Sequence, residues 1–152
     1  MKTVLFVSTG NTCRSPMAEG LLAKALGNDS SVSVKSAGVA ASPGQTTSPN
    51  TTAILHDQGA TVAGFQSSQL DEVMAENADL IVAMGASHAD VLQRLLPGVQ
   101  SKVSLLTDFI DPAEGLTGVD VPDPYGMNRD AYEEVAEVIE LAIPGIIKAT
   151  QE

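Results

Sequence analysis

At 152 residues the chain is long enough for one domain that buries roughly 70% of the surface its unfolded form exposes. Hydrophobic residues make up 43% and charged residues 18%, which argues against disorder, and a single cysteine excludes an internal disulfide framework or a multi-cysteine zinc site. With 8 Lys+Arg against 19 Asp+Glu, the formal net charge of −11 offers no footprint for nucleic acid or an anionic membrane, although a small anion held by backbone dipoles in one pocket remains compatible with it. No apolar run is long enough to span a bilayer, and Met1 to Val7 lacks the apolar core and cleavage site of a signal peptide, so a cytoplasmic setting is expected.

The apolar β-formers Val4-Leu5-Phe6-Val7 predict a first strand that stops at Ser8-Thr9-Gly10-Asn11-Thr12. A helix opens at Ser15-Pro16, where a proline suits the first turn, carries Met17, Leu21, Leu22 and Ala25 on one face and ends near Gly27. Val32-Ser33-Val34-Lys35 alternates like a half-buried or edge strand, and Ser48-Pro49 marks the next helix start. Asp79-Leu80-Ile81-Val82-Ala83-Met84 is apolar after its first residue, as a central parallel strand covered on both faces should be. A helix follows from about His88 to Leu96, then a fourth strand from Val103 to Leu106. The last helix begins near Asp130, with Tyr132, Val135 and Ile139 inward, and Pro144-Gly145 should kink or break it before Ile146-Ile147.

Strands alternating with helices predict right-handed crossovers and a three-layer α/β/α domain around a four-stranded parallel sheet. Ligands of such sheets sit at the carboxyl ends of the strands, which places the loop Ser8 to Ser15 at the expected site. Its small residues let successive N–H groups converge where a helix dipole adds positive potential. The loop is neither a nucleotide P-loop nor a dinucleotide fingerprint, since no Gly-Lys-Ser/Thr or G-x-G-x-x-G follows, and the strand ends without an aspartate for phosphoryl-enzyme chemistry. Arg14 closes the loop. It is either a bidentate ligand for phosphoryl oxygens or an ordinary charge at a helix start.

The run Val4 to Glu19, VLFVSTGNTCRSPMAE, resembles the N-terminal signature of the low-molecular-weight protein tyrosine phosphatases, whose motif is Cys, five residues, Arg, then Ser or Thr. Ser36-Ala37-Gly38, Ala78 to Met84 and Asp123-Pro124-Tyr125-Gly126 extend the likeness in family order over nearly the whole chain. The resemblance implies the flavodoxin-like topology of that family and one phosphatase domain over residues 1–152. It also implies that position 8 attacks phosphorus while Arg14 and the amides of Thr9, Gly10, Asn11, Thr12, Cys13 and Arg14 hold the oxygens. Asp123 would protonate the leaving group and then activate water, and Asn11 and Ser15 would brace the loop and bond the nucleophile. No metal or other cofactor is implied, because arginine, amides and helix dipole supply the charge stabilisation. The expected partners are a phosphorylated protein and inorganic phosphate or an analogue in the loop, with no nucleic acid, no membrane and a monomeric state.

One departure stands out: Ser8 occupies the position of the family's nucleophilic cysteine. A cysteine there would be a thiolate at neutral pH, whereas a serine needs an adjacent base, and neither His56 nor His88 lies in the loop. The chain is therefore expected to bind phosphate esters and to turn over little or nothing. Bacterial arginine phosphatases resemble this chain in carrying threonine at position 12, where tyrosine-directed members usually carry a branched apolar residue. A hydroxyl there could hydrogen-bond a guanidinium or orient water, or simply pack the loop. Tyr125 should form a pocket wall, and a phosphoarginine substrate is expected ahead of phosphotyrosine.

Cys13, the only thiol, sits one residue before Arg14 and so out of register for the nucleophile; it is a redox partner for a cysteine at position 8 or a small packing residue. Asp111-Pro112 rivals Asp123 as the acid but continues like an ordinary turn. His56 and His88 read as partly exposed helix residues, Met74, Met84 and Met127 as core or rim, and Asp130 with Glu133-Glu134 as a solvated helix face. A flavodoxin-like FMN carrier is the rival from another class. An aromatic content of 3% and no tryptophan leave little to flank a flavin, and a flavin spectrum in the purified protein would decide for it.

Overall fold

The computed structural model describes residues 1–152. Four strands, β1 (Lys2–Ser8), β2 (Val32–Gly38), β3 (Leu80–Ala83) and β4 (Val103–Leu105), form one sheet in the order β2-β1-β3-β4, and every pairing is parallel. The helices are α1 (Arg14–Leu26), α2 (Pro49–Asp57), α3 (Glu72–Asn77), α4 (Ala86–Leu95) and α5 (Arg129–Thr150), with 3-10 turns at Pro97–Lys102, Leu106–Phe109 and Pro112–Glu114.

Burial explains the strand compositions. Val4, Leu5, Phe6 and Val7 of β1 are all at most 1% exposed, because alternate side chains enter different layers. Val4, Phe6 and Val82 pack with Met17, Leu21 and Leu22 of α1 and with Val135, Ile139 and Ile146 of α5. Leu5, Val7 and Ile81 pack with Ala75 of α3 and Leu92 of α4. Each large side chain so buried contributes about 1.5–3 kcal/mol before the opposing chain entropy. The result is the expected three-layer architecture.

Since β2 and β3 lie on opposite sides of β1, the chain reverses direction across the sheet at β1, and the switch point lies at the carboxyl end of that strand. Residues 8–13 occupy this place. They are pinned from the outside: Val39 N–H donates to the Ser8 carbonyl, Ala40 to Thr9 and Ser48 to Thr12.

Several local expectations are corrected. Helix α5 runs through Pro144 without a break, because Ile143 and Ile146 on either side of Pro144-Gly145 are buried in the core and tertiary packing outweighs the lost helical hydrogen bond. Gly145 has a separate role, as a Cβ there would collide with the Phe109 carbonyl. Helix α4 begins at Ala86 rather than near His88, since Asp120 Oδ1 accepts from Ala86 N–H over 2.9 Å and caps that end from a distant part of the chain. Strand β2 extends to Gly38 because its last residues pair fully with β1, and α3, six residues long, is too short to show a helical period.

Candidate active site

The loop curls because one residue accepts an unusual conformation. Asn11 has φ 59°, in the left-handed region, where Asn is among the few residues tolerated at small cost. Its side chain compensates locally: Nδ2 donates to Ser15 Oγ (2.8 Å) and Ser36 Oγ (3.0 Å), while Oδ1 accepts from Ser68 N–H (2.8 Å). Gly10 has no positive φ, and a Cβ on it would face open space. Gly38 is the glycine that close approach requires, as a Cβ there would strike the Thr9 carbonyl and crowd Asn11 N.

With the carbonyls of Ser8, Thr9 and Thr12 turned outward onto neighbouring amides, the N–H groups of Gly10, Asn11, Thr12 and Cys13 donate to no protein acceptor. These donors border a cavity of about 370 Å³ lined by Ser8 to Arg14, Ala40, Ser42, Gln45, Asp123 and Tyr125. A concavity with unused amides at the start of α1 is suited to a small oxyanion.

Arg14, only 7% exposed, is held rather than free. Its Nη1 donates to the Val121 carbonyl (3.1 Å), Nη2 donates to Thr9 Oγ1 (3.4 Å), and Nη2 lies 3.7 Å from Asp123 Oδ2. Burial draws its pKa below the ordinary arginine value and Asp123 opposes that, but a guanidinium stays protonated at any working pH. The surface-charge reading of Arg14 is thereby overturned. The same contacts tie the segment carrying Asp123 to the loop, assisted by Val121 N–H donating to the Met84 carbonyl. Asp123 itself is half exposed at the mouth, and Oδ1 accepts from Tyr125 N–H over 3.1 Å. Asp111 lines no part of this cavity and its carboxylate accepts from Ala113 N–H, as an ordinary turn residue does.

Ser8, 2% exposed, sits at the cavity floor with Oγ 2.6 Å from Ser15 Oγ. Its neighbours include no base. A network continues from Ser15 through Asn11 to Ser36, whose hydroxyl donates to Glu19 Oε1 over 2.7 Å; burial pushes the Glu19 carboxyl above the usual range and the Ser36 bond opposes it. Cys13 is buried at the N-cap of α1, with Sγ 3.4 Å from Tyr132 Oη, a packed position beside a phenol whose pKa burial raises.

The sequence reading missed His88. It is 2% exposed rather than a partly solvated helix residue, and Nε2 lies 2.9 Å from Thr9 Oγ1. Burial and, after it, the Arg14 cation pull its pKa down to about 4, against the opposing carboxylates Asp120 and Asp123, so the imidazole is neutral at pH 7. The signal that could have found it is positional: it stands just past the carboxyl end of β3, across the switch point from the loop. His56, by contrast, is exposed as expected.

Residues 3–152 match the model of the low molecular weight phosphotyrosine protein phosphatases. The chain belongs to this family. It is 38% identical to a low molecular weight protein-tyrosine-phosphatase of Streptomyces coelicolor, over 98% of this chain and 93% of that one. It is 35% identical to a protein-arginine-phosphatase of Bacillus subtilis, over 90% of this chain and 89% of the relative. Among solved structures it superposes with TM-score 0.88 on a mutant YwlE arginine phosphatase that carries a phosphorylated active-site serine, at 34% identity, covering 99% of this chain and 96% of that one. Low-molecular-weight phosphatases of both named specificities are thus comparably similar to it.

Proposed function

We propose that residues 1–152 act as one metal-independent phosphatase domain on phosphorylated protein side chains, with phosphoarginine preferred over phosphotyrosine. The observation that carries the reading is the ring of unused amides from Gly10 to Cys13 closed by the buried Arg14 guanidinium, with Asp123 across its mouth. In this reading position 8 attacks phosphorus in line with the leaving group. The amides and Arg14 hold the equatorial oxygens, and their attraction strengthens as charge gathers there. Asp123 donates a proton to the departing nitrogen or oxygen and then takes one from the attacking water, a role that its exposed place at the mouth suits.

Ser8 limits the chemistry. Its hydroxyl has only Ser15 as a side-chain hydrogen-bond partner, and the nearby imidazole is bonded to Thr9, so no base stands ready to speed its attack. The chain as written binds phosphate and phosphorylated side chains and turns over little or nothing. The phosphorylated active-site serine of the mutant arginine phosphatase supports the placement of position 8 as the phosphoryl acceptor: in that relative a serine holds a phosphoryl group. Thr12 at the rim supports the phosphoarginine preference, since a hydroxyl beside the cavity can accept from a guanidinium N–H, and Tyr125 forms a wall of the same cavity. A monomer working in the cytoplasm completes this reading.

The test is to assay Ser8→Cys on phosphoarginine and phosphotyrosine peptides side by side. Activity on phosphoarginine is expected to exceed that on phosphotyrosine. The reverse order removes the arginine preference, and no activity on either removes the phosphatase reading.

A further inference from the structure

His88 poses a problem that its surroundings answer. Its Nδ1 is buried with no hydrogen-bond partner, a cost the fold would avoid by placing an apolar residue there unless the other nitrogen had a task. That other nitrogen faces Thr9 Oγ1 over 2.9 Å, and Thr9 Oγ1 also meets Arg14 Nη2 over 3.4 Å. Thr9 is exposed and borders the cavity, so its hydroxyl lies between the two buried groups and the place where an oxyanion would sit.

We propose that His88 is a positioning residue of the phosphate site: Nε2–H donates to Thr9 Oγ1, which fixes the hydroxyl, steadies the Arg14 guanidinium and turns the hydroxyl hydrogen into the cavity as a further donor to the oxyanion. The proton count supports this arrangement. Arg14 Nη2 has only hydrogens to offer, so it donates to Thr9 Oγ1. If Thr9 in turn donated to Nε2, the proton of the neutral ring would lie on Nδ1, leaving a buried N–H without an acceptor, the costlier of the two possible orphans. With the proton on Nε2, both lone pairs of Thr9 Oγ1 are used and its own hydrogen is free for a ligand. Burial and, after it, the Arg14 cation keep the ring neutral at pH 7 against the opposing carboxylates Asp120 and Asp123, so it does this without adding a second cation that would compete with Arg14.

The inference rests on the reading of the loop as a phosphate site, and the experiment separates the two. Inorganic phosphate is titrated into the unvaried chain, His88→Leu, His88→Gln, Thr9→Val and the His88→Leu/Thr9→Val double variant, followed by calorimetry. Expected are a roughly tenfold weakening for His88→Leu, recovery to within about threefold for His88→Gln, whose amide N–H reaches the same oxygen, and no further loss in the double variant beyond Thr9→Val alone. A His88→Leu protein that binds phosphate like the parent, a glutamine variant no better than leucine, or losses that simply add, each overturns the inference. Absence of phosphate binding by the unvaried chain overturns the loop's assignment together with it. Nitrogen-15 spectra of the imidazole in the unvaried chain provide a readout independent of how the variants fold: a neutral ring protonated on Nε2 and perturbed by phosphate is expected, and an Nδ1-protonated or charged ring overturns the proposal.

Discussion

Ser8 Oγ and Ser15 Oγ stand 2.6 Å apart, and a third residue holds Ser15 in place. Asn11 Nδ2 donates to Ser15 Oγ, which leaves the hydrogen of Ser15 free to point at an anion at position 8. A thiolate at position 8 would receive it. Ser8→Cys is expected to gain turnover on phosphorylated substrates. Adding Ser15→Ala to that variant should lower kcat about tenfold and raise the thiol pKa by about one unit, the worth of one hydrogen bond to an anion. Steady-state kinetics and the pH dependence of iodoacetate alkylation check the two effects.

Asp123 lies 3.7 Å from Arg14 at the cavity mouth, where it can reach a departing atom. In the Ser8→Cys background, Asp123→Asn should reduce kcat about 10²- to 10³-fold on a peptide substrate, as expected for loss of a general acid. With p-nitrophenyl phosphate, whose leaving group needs little protonation, the loss should be several-fold smaller. Equal losses on both substrates would assign Asp123 a role other than proton donation.

Two glycines should respond differently to alanine. Gly145→Ala drives a methyl group into the Phe109 carbonyl, far from the loop, and is expected to destabilise the fold by about 1–3 kcal/mol with phosphate affinity unchanged. Gly38→Ala pushes on the Thr9 carbonyl and Asn11 N, so it should weaken phosphate binding as well as lower stability. Urea denaturation and phosphate titration distinguish them.

Titration of two groups predicts opposite trends of stability with pH. The unfolded chain protonates His88 near 6.5 while the folded chain resists until about 4, so the stability associated with its neutral form is full above 6.5 and is lost as pH falls toward 4. Urea midpoints of the parent should drop across that window, and those of His88→Gln should drop less.

Glu19 behaves in reverse. Its folded pKa is raised above 4.5 by burial, so the folded form binds the proton more tightly and stability falls as pH rises through that range. Glu19→Gln keeps an acceptor for Ser36 without the charge. It should be more stable than the parent at pH 7, and the gain should shrink as the pH approaches 4.5 in thermal melts.

Much of the fold was legible from residue pattern because its signals are short-range. The continuous apolar runs of β1 and β3 mark strands covered on both faces, and Ser48-Pro49 marks the start of α2. The break expected at Pro144 failed because a local rule met a helix whose buried face is secured by the core. His88 was misread for a similar reason: a helical histidine in a mixed-polarity stretch looks solvated until the sheet brings Thr9 and Arg14 against it.

By itself the sequence determined the family, the alternation that makes a parallel sheet, and the presence of a serine six residues before Arg14, because covalent order and hydrophobic period are written in it directly. Only the tertiary structure decided that Asn11 rather than Gly10 takes the left-handed turn, that Arg14 is buried against Val121 and that Asp123 rather than Asp111 closes the cavity. Those outcomes depend on contacts between residues up to 109 positions apart, from Arg14 to Asp123, and such distances are set by packing the layers, which no local pattern encodes.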